Sequence, residues 1–179
     1  VIPPNRQILD QFPDSKRFDV LSTLSLEATT LDFALQENGI NEIDFLKIDA
    51  QGSGLPILEG GRQALEGAYG VEVETEFTPL YEGQPLFNEV DCFMRSNGFE
   101  RFDINRFYWK RSKGGSAGRR RGQLVFGDAL YLRSPEEFVK RIADHAKGKV
   151  IKATLISLAY GYPDLAVAIW DRALEQAIV

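Results

Sequence analysis

Two short runs hold the acids best placed to do chemistry. Asp49 closes the run IDFLKID at 43–49 and is followed by the turn AQGSG. Glu72, Glu74 and Glu76 alternate with Val71, Val73, Thr75 and Phe77 in GVEVETEF at 70–77. A carboxylate at the end of a buried strand can take a proton from a hydroxyl or ligate a hard cation. It can also contact a cofactor, because ligands of open α/β sheets bind at the carboxyl ends of the strands. Asp49 reads as such a group, or else as an acid capping the helix that follows. Glu76, nearest the end of its run, reads as a substrate contact. Burial of Glu74 and Glu76 is costly unless they are paired or used, and Lys47 on the neighbouring strand is a partner for one of them.

Tyr81, Glu82 and Gln84 fall in the loop 78–85. They can face a sugar with a hydroxyl, a carboxylate and an amide, or form a plain surface loop. The basic residues Lys110, Arg111, Lys113, Arg119, Arg120 and Arg121 read as a solvated hairpin tip rather than an anion grip. Phe107, Tyr108 and Trp109 before them read as sheet packing. The single histidine, His145, reads as a surface helix residue far from the strand ends, which leaves a carboxylate as the base. The single cysteine, Cys92, sits in an apolar run and reads as a packing thiol, since nothing near it would lower its pKa.

These groups need a sheet to hold them. The near-continuous apolar run 43–49 predicts a strand buried on both faces, and 70–77 predicts the next. Helices are predicted over 29–38, where Thr29 or Thr30 caps and Gly39 ends the run, over 55–65, where Gly60-Gly61 weakens it, and over 86–97, closed by Gly98. Runs 99–109 and 123–133, joined by a glycine-rich basic connection, predict an antiparallel pair. Ser134-Pro135-Glu136-Glu137 is a capping box with proline at the first helical position. It opens a tail of three helices over 134–146, 149–160 and 163–178, with Ile142, Leu155, Leu158, Leu165, Ile169 and Leu174 on apolar faces. Alternating elements ending in an antiparallel pair predict an α/β fold. The expected division is 1–28 as a connecting surface segment with a short helix over 6–12, then 29–133 as the α/β part, then 134–179 as the helical tail.

The 179 residues suffice for one core with an appendage. A net charge of −5 argues against nucleic acid, and no apolar run is long enough to span a membrane. One cysteine fits a reducing, cytoplasmic setting. Val1 in first position, with no targeting segment before it, is expected of part of a longer chain.

The run TTLDFALQENGINEIDFLKIDAQGSGLPILEGG, then VETEFTPLYEGQPLFNEVDCFMRSNGF, then QLVFGDALYLR resembles the FkbM family of S-adenosylmethionine-dependent methyltransferases. The resemblance covers 29–133 and rests on the three pieces in series. It implies a Rossmann-like sheet of seven strands whose last is antiparallel, with 43–49, 70–77, 99–109 and 123–133 as the fourth to seventh. It implies O-methylation of a hydroxyl on a sugar, glycolipid or natural product, with S-adenosylmethionine as cofactor. With the strand-end and loop positions above, it makes Asp49, Glu74 and Glu76 the catalytic candidates, Asp49, Gln51 and Gly52 the cofactor candidates, and Tyr81, Glu82 and Gln84 the substrate candidates; with Gln51 and Gly54 beside Asp49, no metal is expected. The family often carries an acid where Gln51 and Gly54 stand. The strand followed by a glycine-rich cofactor loop is missing from these residues. Cofactor-binding strands are therefore expected upstream, or a partner strand beside 45–48, since a bare apolar edge invites aggregation. A homo-oligomer through the helical tail is a further expected partnership. A non-catalytic binding or assembly module is the alternative, and a glycosyltransferase half a third reading.

Overall fold

The computed structural model describes residues 2–114, 122–142 and 146–179. Arg119, Arg120, Arg121 and His145 lie outside the described residues. Two short elements open the chain: helix α1, Arg6–Leu9, and a 3-10 turn, Ser15–Phe18. Helix α2, Leu31–Glu37, precedes strand β1, Phe45–Ile48. Its cap is Thr30, whose hydroxyl accepts from the Phe33 amide at 3.2 Å. The run expected as one helix over 55–65 is two, α3 Gly54–Glu59 and α4 Arg62–Gly67, because Gly60 and Gly61 break it. Then come β2, Gly70–Glu76, α5, Phe87–Ser96, β3, Glu100–Trp109, and β4, Gln123–Leu132. The tail forms α6, Pro135–Arg141, α7, Lys147–Ala159, and α8, Pro163–Glu175.

The four strands form one mixed sheet in the order β1-β2-β4-β3. β1 and β2 are parallel, with Lys47 opposite Glu72. β4 is antiparallel to both its neighbours, so the last strand enters between β2 and β3. The predicted antiparallel pair is present, and β3 rather than β4 is the outer strand.

Alternation on the strands sorts the sheet into two faces. Val71 and Val73 of β2, Ala129 and Tyr131 of β4, and Leu46 and Ile48 of β1 pack against Leu58, Leu65, Val90, Phe93 and Met94 of α3, α4 and α5. On the opposite face Phe45, Leu130 and Leu132 meet Phe138, Val139, Val150, Ala153, Ile169 and Ala173 of the tail. The tail is thus a second helical layer on the sheet. Small residues let α7 come close: Ala153 and Ser157 are fully buried, and the Ser157 hydroxyl lies 2.6 Å from the Tyr69 hydroxyl.

Several expectations change. Leu155, Leu158 and Leu174 point outward, because the inward stripes run through Val150, Ala153 and Ser157 and through Ala166, Ile169 and Ala173. Cys92 is exposed, on the face of α5 turned away from Val90, Phe93 and Met94. β1 is covered on both faces, by Phe45 on the tail side and Leu46 and Ile48 on the other, but it pairs along one edge only among the described residues. The opening residues are not all surface. Leu9 and Phe12 are buried in a third cluster with Leu80, Tyr81 and Val125.

Candidate active site

At the carboxyl ends of β1 and β2 the tail no longer covers its face of the sheet, and a cleft of about 530 Å³ opens there. Gln51, Glu74, Glu76 and Tyr81 line it from the strand ends. Trp109 and Phe126 close it from β3 and β4, and Pro4, Arg17, Phe18 and Asp19 from the opening segment. That volume suits a small organic ligand, as does a mostly apolar wall with few polar groups.

The opening segment is tied down at this rim. Pro4 forms an isolated antiparallel bridge to Tyr81. The Asn5 amide donates to the Leu80 carbonyl, and the Glu82 amide to the Pro3 carbonyl, both at 2.8 Å. Phe12 and Phe18 then pack edge-on or tilted against Trp109. Trp109 therefore both packs, as expected, and forms a wall of the cleft.

Gln51 is the hub of the polar end. Its Nε2 donates to Asp49 Oδ1 and to Glu74 Oε1, each at 3.1 Å. Its Oε1 accepts from the Tyr81 hydroxyl at 2.6 Å. The Gln51 backbone has φ of 46°, a left-handed conformation that a non-glycine residue adopts at some cost. Gly52 follows at φ 83°, and a Cβ there would come within 3.0 Å of the Tyr81 ring. Gly52 thus gives Tyr81 room to reach Gln51. An acid at position 51 would lack the amide protons that bring Asp49 and Glu74 to one point.

The two glutamates are held near neutrality. Burial pushes the Glu74 carboxyl up to about 7, aided by the negative charges of Asp49 and Asp128 and opposed by Lys47. Burial also pushes Glu76 up to about 7, aided by Glu74. The Glu76 backbone and the Gln84 side chain act weakly the other way, and Asp49 adds a small upward push. Burial raises the Tyr81 phenol to about 12, with the acids nearby adding to it. Lys47 does not neutralise either cleft acid: the strand register sets it opposite Glu72, and it pairs there. That corrects the pairing expected with Glu74 or Glu76.

Of the loop residues, Tyr81 lines the cleft. Gln84 lies buried beneath it, its Oε1 accepting from the Tyr81 amide at 2.5 Å. Its Nε2 has no hydrogen-bond partner of ordinary geometry. Glu82 is exposed and is not part of the lining. Asp49 is exposed too and joins the site through Gln51. No group of three or more His, Cys, Asp or Glu placed to hold a metal ion occurs among the described residues. No helix among them is long and apolar enough to cross a membrane.

The sequence profile described as the methyltransferase FkbM domain matches residues 7–101, more than half of the chain. The chain belongs to the FkbM methyltransferase family. No curated protein and no solved structure matches it. The FkbM match begins in α1, ahead of the stretch whose motifs carry the resemblance, and takes in the 3-10 turn with Arg17 and Phe18. It ends in β3.

A buried carboxyl, Glu76, and a half-buried one, Glu74, that must give up protons near pH 7 leave a mark on the stability of this FkbM domain. Their folded pKa lies above the ordinary carboxylate value, so between about pH 4.5 and about 7 the folded state binds more protons than the unfolded chain. Stability therefore falls as pH rises through that window. Thermal melts from pH 4.5 to 8 are expected to show Tm dropping toward pH 7. Glu76→Gln should flatten the drop and melt higher than the parent at pH 8. A flat parent profile would remove the case for buried, raised carboxyls.

Proposed function

We propose that this chain is the acceptor-side part of an S-adenosylmethionine-dependent O-methyltransferase acting on a hydroxyl of a sugar, glycolipid or related natural product. The observation that carries the reading is the pair Glu74 and Glu76, poised near neutrality at the strand ends of an aromatic-walled cleft in a chain of this family. A general base works best with a pKa near the working pH. Glu76 takes the proton of the acceptor hydroxyl. Glu74 keeps the Glu76 pKa high by its own charge, and Gln51 fixes Glu74 in place. Tyr81, Phe126 and Trp109 exclude water and seat the acceptor. Gln84 supports the Tyr81 loop from below.

The strand order is consistent with β1, β2, β3 and β4 as the fourth, fifth, sixth and seventh strands of a Rossmann-like methyltransferase sheet. S-adenosylmethionine, when bound, supplies an electrophilic methyl on a positively charged sulfur. The donor set fits a cationic group: Asp49, Glu74 and Glu76 lie together, and Lys47, the nearest lysine on β1, is committed to Glu72. Asp49, Gln51 and Gly52 are the residues proposed to hold it. The free edge of β1 is the proposed seat of a further strand, from upstream in the same protein or from a partner. The outward leucines of the tail are the proposed surface of a homo-oligomer.

Calorimetric titration with S-adenosylmethionine tests this, together with mass spectrometry of hydroxyl acceptors incubated with it. Binding and the gain of one methylene per acceptor are expected. A folded sample of the longest native chain that gives neither would favour a non-catalytic binding module.

A further inference from the structure

Arg17 stands out among the groups around the cleft because its charge is not answered. Its guanidinium carbon lies 4.6 Å from the centroid of Trp109 and 4.9 Å from that of Phe18. Among the described residues its side chain makes no hydrogen bond and no ion pair. The acid two positions on, Asp19, is taken by Arg6, which also donates to the Ser15 carbonyl at 3.1 Å. Glu74 and Glu76 sit at the other end of the cleft. Glu76 on β2 pairs with Phe126 on β4, and Phe126 with Phe107 on β3, two residues before Trp109. Two strand spacings, about 10 Å, separate the β2 and β3 ends of that row.

The cleft is thus polarised. Proton-accepting carboxyls lie at the β2 end, aromatic rings in the middle, and an exposed guanidinium beside an indole at the β3 end. The two rings hold the guanidinium in place, and its N–H groups have no protein partner among the described residues, so the fork can receive a carboxylate or phosphate in two parallel hydrogen bonds. A wholly neutral acceptor would leave those donors to water.

We infer that Arg17 is a specificity-determining residue that binds an anionic group, carboxylate or phosphate, on the hydroxyl-bearing acceptor. The inference rests on the acceptor reading above. It narrows the acceptor to an acidic sugar or sugar phosphate about one ring long between its reacting hydroxyl and its charge. The cofactor is a poor occupant for this position, since its proposed contacts lie beyond β2, at the end of β1.

The test is calorimetric titration of the parent, Arg17→Gln and Arg17→Lys with D-glucuronate, D-glucose 6-phosphate and D-glucose, with and without S-adenosylmethionine. One or both charged sugars are expected to bind at least about ten-fold tighter than glucose. The better of the two tells whether the natural group is a carboxylate or a phosphate. Arg17→Gln should erase that preference while leaving glucose and S-adenosylmethionine binding within about two-fold, and Arg17→Lys should keep part of it. Equal binding of charged and neutral sugars, or no binding of either charged sugar, overturns the inference. So does a preference that survives Arg17→Gln, or a loss confined to S-adenosylmethionine. If the preference is lost in Arg17→Gln yet no acceptor is methylated, the anion site stands and the methyl-transfer reading falls. If neutral sugars are methylated equally well by parent and Arg17→Gln, the reverse holds.

Discussion

Glu76→Gln is expected to lower the rate of methyl transfer by about 10²–10⁴-fold, the usual worth of a positioned general base. The amide is nearly the same size and can still accept a hydrogen bond, but it cannot take a proton. S-adenosylmethionine affinity should stay within a few fold, and the variant should be folded, since it no longer has to ionise a carboxyl that burial disfavours. The pH profile separates this from a packing defect. In the parent, kcat/KM should rise with pH through about 7, where Glu76 loses its proton. The Glu74 charge raises Glu76, so the position of that rise depends on both groups. Glu74→Gln removes one negative neighbour of Glu76. It should move the midpoint to lower pH and leave much of the rate. Single-turnover rates of the parent and both variants from pH 5 to 9 make the measurement. A Glu76→Gln enzyme within about three-fold of the parent at pH 8 would reassign the base.

What could be read from the sequence was what repeats along it. The period-2 alternation of Glu72, Glu74 and Glu76 with Val71, Val73 and Thr75 put three acids on one face before any fold was known, and the sheet keeps them there. The helical stripe of Val90, Phe93 and Met94 likewise packs as its spacing indicates. Contacts between distant parts of the chain leave no such period. The wall made by Arg17 and Phe18 depends on a bridge from Pro4 to Tyr81, across more than seventy residues, and on a 3-10 turn too short for an amphipathic pattern. Register was equally hidden. Lys47 meets Glu72 rather than a cleft acid because Phe45 starts opposite Gly70, and a shift of two residues would have given it Glu74. Gln51 read as a lost acid. Its value as a hub comes from a left-handed turn that aims one amide at Asp49, Glu74 and Tyr81, and nothing in the residue type announces that turn.

Arg133→Met should destabilise the fold by about 3–5 kcal/mol, the range for removing one member of a buried charged network. Arg133 is 1% exposed and pairs with carbonyls rather than with a carboxylate. Its Nε donates to Ala68 at 2.8 Å, Nη2 to Leu65 at 2.7 Å, and Nη1 to Asn97 at 2.8 Å and Gly98 at 3.2 Å. Leu65 and Ala68 lie at the end of α4, and Asn97 and Gly98 at the end of α5. One guanidinium therefore answers carbonyls at two helix C-termini, where the helix dipoles favour a cation. Phe99 lies beneath it, 3.9 Å from ring centroid to guanidinium carbon. Burial lowers its pKa to about 10, with Arg141 adding to the effect and Glu137 and Glu66 opposing it, so it stays charged at neutral pH. Methionine fills much of the space but removes the arginine's donors from the buried Ala68 and Leu65 carbonyls and the part-buried Asn97 and Gly98 carbonyls. Among the described residues Leu65 alone of these keeps a second donor, the Ala68 amide, and an unpaired buried polar group costs about 1–3 kcal/mol. Lysine restores the charge but not the planar fork, and should recover less than half of the loss. For a chain of this size each kcal/mol moves Tm by about 2–4 °C, so Arg133→Met should melt roughly 10 °C below the parent or lower. Urea unfolding read by circular dichroism gives the free energy directly. A loss under about 1 kcal/mol would mean that water reaches those carbonyls once the arginine is gone, and that α4, α5 and β4 are held together by the apolar core alone.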